Sequence, residues 1–263
     1  MAKELKKVDY YYDSHPTEED LMGETSWHDS VITYLKLVLS WLFRDQTCAV
    51  YSNLNFYQTR KPDEYPVAPD LAIFKGIAFH HTTSWTLTNG EPVPQVVFEI
   101  LSKETWKKDE REKPSIYARM GVREYFVYDP HEPPLRHREG SRLRGWRLDS
   151  QQRAMVEIEA NRDGWLWSEQ LESWLVPDGA YLRLYDRNHQ MRLTEAEAQA
   201  QQAEMAVERA AFEAERAKAA DERTKAEAQR AALEAQRAEA AIRKAQALAK
   251  QLRALGINPD EIE

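Results

Sequence analysis

Residues 94–102, PQVVFEILS, combine an apolar run with a charged residue. The apolar run from Val96 to Leu101 is short and continuous, which is typical of a strand covered on both faces. Glu99 lies in the middle of this run. Because an unpaired carboxylate in such a strand costs several kcal/mol, the sequence predicts a specific partner that compensates Glu99.

Further elements can be read outward from this strand. The apolar periodicity of residues 27–43 predicts a helix, and a second helix is predicted over residues 107–120, ended by Gly121. Runs of β-branched and aromatic residues predict the remaining strands at 48–56, 71–74, 124–129, 145–148, 155–158 and 181–185. This order of helix, strands, helix and strand predicts an α/β fold with a mixed sheet.

The character of the chain changes near residue 190. No Gly or Pro occurs between Gly179 and Gly256, and about a third of residues 195–255 are Ala, interleaved with Glu, Gln, Arg and Lys. We therefore predict a globular domain over residues 1–190, a helical tail over 191–255 and a short extension over 256–263.

The tail also has a heptad pattern. Steps of three and four residues from Leu193 to Leu252 give an apolar seam that is interrupted only by Asp221 and Thr224. This is the period of a left-handed coiled coil, although the alanines make the seam shallow. A single solvated helix and a loosely ordered tail remain the alternatives.

Composition limits the class of protein. The chain has 263 residues and a net charge of −8, which argues mildly against strong nonspecific binding to nucleic acid. Its single cysteine, Cys48, leaves no disulfide framework within one chain and is typical of a reducing compartment. No apolar stretch reaches the ~20 residues of a membrane span, so we expect a cytoplasmic protein.

Two carboxylates are placed where they can meet. Asp70 opens the predicted strand 71–74, and Glu99 lies inside the next strong apolar strand. If these strands are neighbours, the two carboxylates repel, and one of them would stay protonated. A divalent cation bound to both through oxygen, the ligand type that Mg²⁺ prefers, removes this conflict.

Four polar residues follow on one predicted helix face. Thr105, Asp109, Lys113 and Tyr117 recur every four residues. Lys113 is a candidate for holding a substrate phosphate or an attacking water, whereas Tyr117 is better explained by packing.

Structural interpretations of the same residues stay open. Asp70 can serve as a turn residue after Pro69. Glu99 can form a buried ion pair with Lys113 or Arg119, or face outward from an edge strand. Lys113 can be an ordinary surface residue of its helix.

The segments PDLAIF (69–74) and VVFEILSKETWKKDEREKPSIYARMGVREYFVYDP (96–130) resemble the Uma-type restriction endonuclease family of the PD-(D/E)XK nuclease superfamily. The resemblance covers about residues 16–186. It rests on Pro69-Asp70, Glu99, Leu101-Ser102, Thr105, Asp109, Lys113, Tyr117, Gly121-Val122, Glu124-Tyr125 and Asp129-Pro130.

This resemblance implies a restriction-endonuclease-like core in which Asp70 and Glu99 bind Mg²⁺ or Mn²⁺ from adjacent strands. The superfamily usually has a lysine two residues after the glutamate, and Leu101 stands there instead. The family resembled has a lysine on the next helix, and Lys113 matches that position. The displacement is physically acceptable, because only the position of the ammonium at the scissile phosphate matters.

The first predicted helix offers secondary candidates. Many members of the superfamily use an acidic residue from this helix, so Glu24, His28 or Asp29, in GETSWHDS (23–30), could reach the site. His28 could equally make a local hydrogen bond at the start of the helix.

The sequence therefore predicts a metal-dependent endonuclease that hydrolyses phosphodiester bonds, with DNA as the expected substrate and the choice between DNA and RNA left open. Asp70 and Glu99 would bind Mg²⁺, and Lys113 would stabilise the scissile phosphate or position water. The alternative, which the acidic globular part favours, is a nuclease fold that does not cleave and serves as a DNA-binding or assembly module. In either case we expect a homo-oligomer, such as a dimer, to which the tail contributes, and no membrane partner.

Overall fold

The computed structural model describes residues 26–58, 65–87, 91–103, 105–135 and 141–256. Its helices are α1 (Ser26–Leu42), α2 (Trp106–Arg111), α3 (Lys113–Met120) and α4 (Glu195–Ala254). Its strands are β1 (Cys48–Tyr51), β2 (Asn55–Tyr57), β3 (Leu71–Lys75), β4 (Ser84–Thr86), β5 (Val96–Ile100), β6 (Glu124–Tyr128), β7 (Leu143–Asp149), β8 (Ala154–Glu157), β9 (Leu166–Ser168), β10 (Ser173–Asp178) and β11 (Tyr181–Tyr185). The predicted α/β class is confirmed.

A six-stranded mixed sheet forms the centre of the globular part, in the order β1-β3-β5-β6-β7-β8. Strands β5 and β6 are parallel, and α2 and α3 lie in the connection between them. The other neighbouring strands of this sheet are antiparallel. The sheet is therefore mixed, as the sequence predicts.

Both faces of the central sheet are covered, which explains the continuous apolar strands. One face packs against α1, whose residues Val31, Leu35 and Val38 are fully buried, and against the antiparallel sheet β11-β10-β9. The other face packs against α3 and against Phe56 and Trp85 of the parallel pair β2–β4. Because strand residues alternate between faces, Val97, Glu99 and Leu101 point to the α3 side.

The predicted helix 107–120 is wrong in one respect, because the structure has two helices separated at Glu112. Pro114 lies in the first turn of α3, where its missing N–H is tolerated but where it cannot continue the hydrogen bonds of α2. Gly121 ends α3 with φ of 87°, as predicted, and its N–H bonds to the carbonyls of Tyr117 and Ala118.

The predicted strand 48–56 is also two strands, β1 and β2, separated by a turn in which Asn53 has a positive φ of 52°. The short strands β4, β9 and β10 were not predicted. Each is three to six residues long and mixes polar with aromatic residues, so its alternation is weak.

The chain divides into two compact units, one ending at Ala198 and the other beginning at Gln199. The tail is one continuous helix of 60 residues, and none of its described side chains is buried within the single chain. A helix is thus confirmed, while the coiled coil and the predicted boundary at residue 190 stay predictions. No helix in the described part of the chain is long and apolar enough to cross a membrane.

Candidate active site

The pairing of β3 with β5 places the two predicted carboxylates beside each other. Leu71 lies opposite Phe98 in this antiparallel pair. Asp70 precedes Leu71 and Glu99 follows Phe98, so the next position along the ladder brings Asp70 and Glu99 together on the α3 side of the sheet. Both residues are buried, with exposed fractions of 8% and 3%.

His28 joins this pair from α1. Its Nε2 lies 3.0 Å from the carbonyl oxygen of Ile100 and 3.2 Å from Asp70 Oδ2. A carbonyl oxygen can only accept a hydrogen bond, so Nε2 carries the proton in this arrangement. Asp70 Oδ2 also accepts the N–H of Ile100 at 2.6 Å. Asp70 is thus fixed at the end of β5 in two ways: directly by the N–H of Ile100, and through His28, which is bonded to the carbonyl of the same residue.

Lys113 compensates Glu99. Its Nζ lies 2.7 Å from Glu99 Oε1 and 2.7 Å from Asp109 Oδ1, so one ammonium bridges two buried carboxylates. Tyr117, one turn further along α3, donates its hydroxyl to Glu99 Oε1 at 2.6 Å. The partner predicted for Glu99 is therefore Lys113 together with Tyr117, whereas Arg119 is exposed.

The connection after β5 positions Asp109. Ser102 Oγ and Thr105 Oγ1 lie 3.0 Å apart, and Thr105 donates its hydroxyl to Asp109 Oδ2 at 2.7 Å. Tyr125 of β6 donates to the main-chain carbonyl of Asp109 at 2.8 Å. These bonds attach the start of α2 to the sheet and fix the anion that lies beside Lys113.

The site carries more negative than positive charge. Asp70 lies beside Glu99, and Lys113 is the one ammonium that pairs with Glu99 and Asp109 among the described residues. Burial, and then the charges of Asp70 and Asp109, raise the pKa of Glu99 to about 8 although Lys113 opposes the shift. Burial alone would lower the pKa of Lys113, but the charges of Glu99 and Asp109 outweigh it and hold that pKa above its ordinary value.

Glu124 shows how a purely structural carboxylate differs from Glu99. It is fully buried on β6, yet it accepts hydrogen bonds from Ser168 Oγ, from Arg147 and from the main-chain N–H groups of Glu169 and Gln170. Four residues thus donate to Glu124 and reach both of its oxygens, whereas Lys113 and Tyr117 both contact the same oxygen of Glu99, Oε1.

The structure brings together Asp70, Glu99, Lys113 and His28 but not every sequence-predicted candidate. Glu24 lies outside the described residues, and Asp29 is exposed on the first turn of α1. The other lysines of this region whose side chains are described are exposed, at positions 103, 107 and 108.

Sequence reasoning missed three contributors. The carbonyl oxygen of Ile100 is a main-chain group, so no residue type indicates it. The helical period placed Asp109 on the correct face but did not indicate that it shares Lys113 with Glu99. Tyr117, predicted as a packing residue, is fully buried but also bonds Glu99, and its partner could be found only by knowing that α3 crosses β5.

The donor set fits a hard divalent cation by its chemistry and charge. The oxygens of Asp70, Glu99 and the Ile100 carbonyl are the ligand type that Mg²⁺ and Mn²⁺ take, with water completing the shell. Burial and the neighbouring charges of Asp70 and Asp109 raise the pKa of Glu99, and a cation bound to Glu99 would oppose both effects. Among the described residues, no three His, Cys, Asp or Glu side chains are grouped closely enough to hold a metal by themselves.

A comparison with models of protein families agrees with the resemblance. The sequence model of the Uma2 family, described as "Putative restriction endonuclease", matches residues 7–211. A crystal structure described as a putative nuclease belonging to DUF820 from Anabaena variabilis ATCC 29413 is similar at 13% identity and a TM-score of 0.40, covering 57% of this chain and 76% of that one. No curated protein matches the sequence.

Proposed function

The chain belongs to the Uma2 family, and from this premise we propose that it is a metal-dependent endonuclease that hydrolyses phosphodiester bonds of DNA. The observation that carries the proposal is the adjacency of Asp70 and Glu99 on one face of the sheet, with Lys113 Nζ 2.7 Å from Glu99 Oε1. Paired carboxylates that can hold a divalent cation, with a neighbouring ammonium, are suited to hydrolysis of a phosphodiester.

Asp70 and Glu99 are the residues that would hold Mg²⁺ or Mn²⁺, with the Ile100 carbonyl as a third oxygen donor. The cation would supply Lewis-acid stabilisation of charge on the scissile phosphate. His28 acts on this site as a positioning residue, since its Nε2–H donates to the Ile100 carbonyl and Nε2 lies 3.2 Å from Asp70 Oδ2. Replacing His28 should therefore change the position of the Asp70 carboxylate more than it changes the net charge of the site.

Lys113 is the group that would contact the phosphate. An ammonium has three N–H donors, and within the described residues two of them go to Glu99 and Asp109. Its side chain is 13% exposed. The two carboxylates hold the ammonium protonated and fixed, so it can stabilise negative charge that develops on the phosphate without reorganising.

A second candidate function is binding without cleavage. Lys113 already bridges Glu99 and Asp109 without a cation, and residues 1–190 carry −6 of the net charge of −8. Both observations favour a nuclease fold that does not cleave and serves as a binding or assembly module.

Cleavage of supercoiled plasmid with Mg²⁺ or Mn²⁺ tests the choice, with wild type compared with Asp70→Asn and with Asp45→Asn as a matched control. Asp45 has a side chain that is 83% exposed. We expect wild type and Asp45→Asn to nick the plasmid and Asp70→Asn to be inactive. Equal cleavage by Asp70→Asn would refute the assignment, and DNA binding without cleavage by wild type would favour the second candidate. A structured RNA in the same assay decides the substrate class.

A further inference from the structure

The tail helix exposes an apolar seam along its length. Val207 and Ile242 belong to the seam and are 69% and 57% exposed in the single chain. Between Ala200 and Ala245 every seam position except Asp221 and Thr224 is Ala, Val or Ile. A solvated helix has no need for such a seven-residue repeat, so the pattern indicates a partner helix.

The charges of α4 are divided between its two halves. Residues 195–222 contain eight acidic and three basic residues, a net charge of −5. Residues 223–254 contain eight basic and three acidic residues, a net charge of +5. Each half is therefore complementary to the other half of an identical helix.

We propose that two copies of this chain pair through α4 in antiparallel orientation, centred between Asp221 and Thr224. In this register Val207 faces Ala238 of the second copy, and Ala203 faces Ile242. The acidic half of each helix then lies along the basic half of the other, which is the favourable arrangement for helices with these charges.

The polar seam residues support this register. Asp221 of each chain faces Thr224 of the other, so both polar positions fall at the centre and the seam is apolar from there outward. In a parallel pair in register, Asp221 would face Asp221, and two carboxylates in one layer repel. In the single chain Asp221 pairs with Lys225 at 2.6 Å and Thr224 bonds the Ala220 carbonyl at 3.0 Å, both local contacts that leave the two side chains at the seam.

Side-chain size supports the same register. The two larger seam residues, Val207 and Ile242, each face an alanine, so no layer between Ala200 and Ala245 combines two large side chains. The separation of the helix axes can then stay uniform and small along the seam. A parallel pair would face Val207 with Val207 and Ile242 with Ile242, which would spread the helices at two levels.

The two halves of α4 are complementary in total charge, but not at every position. At the positions that flank the seam, Glu213 comes to lie near Glu234 of the partner, a like-charged pair. Together with the small area that alanine buries, this implies a modest affinity that weakens with added salt.

Disulfide mapping in the full-length chain tests the orientation. In a Cys48→Ser background, Val207→Cys and Ala238→Cys are prepared as separate proteins with tags of different mass, mixed, allowed to exchange and oxidised. The two positions lie about 46 Å apart along one helix, at ~1.5 Å per residue, whereas a disulfide needs Cα atoms within about 7 Å. We expect the mixed species to cross-link and each protein alone not to cross-link.

Phe212→Cys and Leu233→Cys are the matched control. They lie at the same level as each other in the proposed pair, but on the sides away from the seam, and they should not cross-link when mixed. Self-cross-linking of Val207→Cys alone would show a parallel pair. Equal cross-linking of both mixtures, no cross-linking at all, or a monomer by light scattering would each overturn the proposal.

Discussion

Lys113 places its ammonium nitrogen 2.7 Å from Glu99 Oε1, and the same nitrogen lies 2.7 Å from Asp109. The glutamate that interrupts an apolar strand is thus compensated from the next helix along the chain. The pair joins β5 to α3. The same two residues therefore contribute to the stability of the domain and to its proposed chemistry.

Glu99→Gln should abolish binding of Mn²⁺, because the substitution removes the buried charge while keeping the shape of the side chain. Calorimetric titration of wild type and variant measures this directly, with Asp45→Asn as the control that removes a surface carboxylate. We expect a single site of modest affinity in wild type and in the control, since few protein ligands and several waters would form the shell. Unchanged binding by Glu99→Gln would assign the metal to other residues.

The free energy of unfolding without metal should fall as pH rises from about 5 to 8. Folded Glu99 has a pKa of about 8 against an ordinary value of 4.5, so in this window the folded state holds more protons than the unfolded state. The slope of the free energy of unfolding against pH is then negative. Urea titrations across this range should show the slope in wild type and a weaker one in Glu99→Gln. A positive slope that depends on Glu99 would contradict the raised pKa.

Above pH 8, where Glu99 is ionised in the folded state, Lys113→Met should destabilise the domain by about 3–5 kcal/mol, the cost of removing one partner from a buried ion pair. Lys108→Met is the matched control, because Lys108 is exposed and its replacement should change the stability little. Adding Glu99→Gln to Lys113→Met should restore part of the loss, since it removes one of the two carboxylates left without a cation. If the double variant is no more stable than Lys113→Met, the two residues are not energetically coupled.

Tyr117→Phe should raise the pKa of Glu99 further and weaken Mn²⁺ binding, because it removes a hydroxyl that donates to the carboxylate at 2.6 Å. The pH at which Mn²⁺ binding reaches half its maximum should increase. Tyr128→Phe is a suitable control, since Tyr128 donates to the carbonyl oxygens of Gly179 and Tyr181 rather than to the site. It should cost stability without moving the pH profile, and a common shift in both variants would point to a general effect of destabilisation.

The central strands of the sheet could be predicted because each is marked by a pattern within its own short segment of sequence. The apolar runs at β3, β5 and β6 each show burial on two faces, and Gly121 marks the end of α3 through the left-handed conformation that it adopts. The break at Glu112 could not be predicted with the same certainty. Pro114 is compatible with the first turn of a new helix as well as with a kink in a single one.

The charged residues of the candidate site could be predicted from the sequence, but the hydrogen bonds and ion pairs between them could not. An acid inside an apolar strand is a strong signal, and a four-residue period placed Asp109 and Lys113 on one face. The contact of His28 with Ile100 joins residues 72 positions apart through a main-chain oxygen, which has no counterpart in composition or spacing. Which of the acids would share the lysine depended on how α2 and α3 cross the sheet.

Ending the chain at Ala198 should leave a folded domain that still binds Mn²⁺. Each residue named in the site lies in the unit that ends there, and the chain before α4 is attached by main-chain bonds such as Arg192 N–H to the Leu184 carbonyl at 2.7 Å. Ending it earlier, after Asp186, would remove that bond and the Tyr185–Met191 bridge, and should lower the melting temperature. Circular dichroism, calorimetry and light scattering on both truncated chains measure the fold, the metal site and the oligomer. Both truncated chains should have a lower helical content and a smaller hydrodynamic radius than the full-length chain. Loss of Mn²⁺ binding in the chain ending at Ala198 would mean that the site depends on the tail.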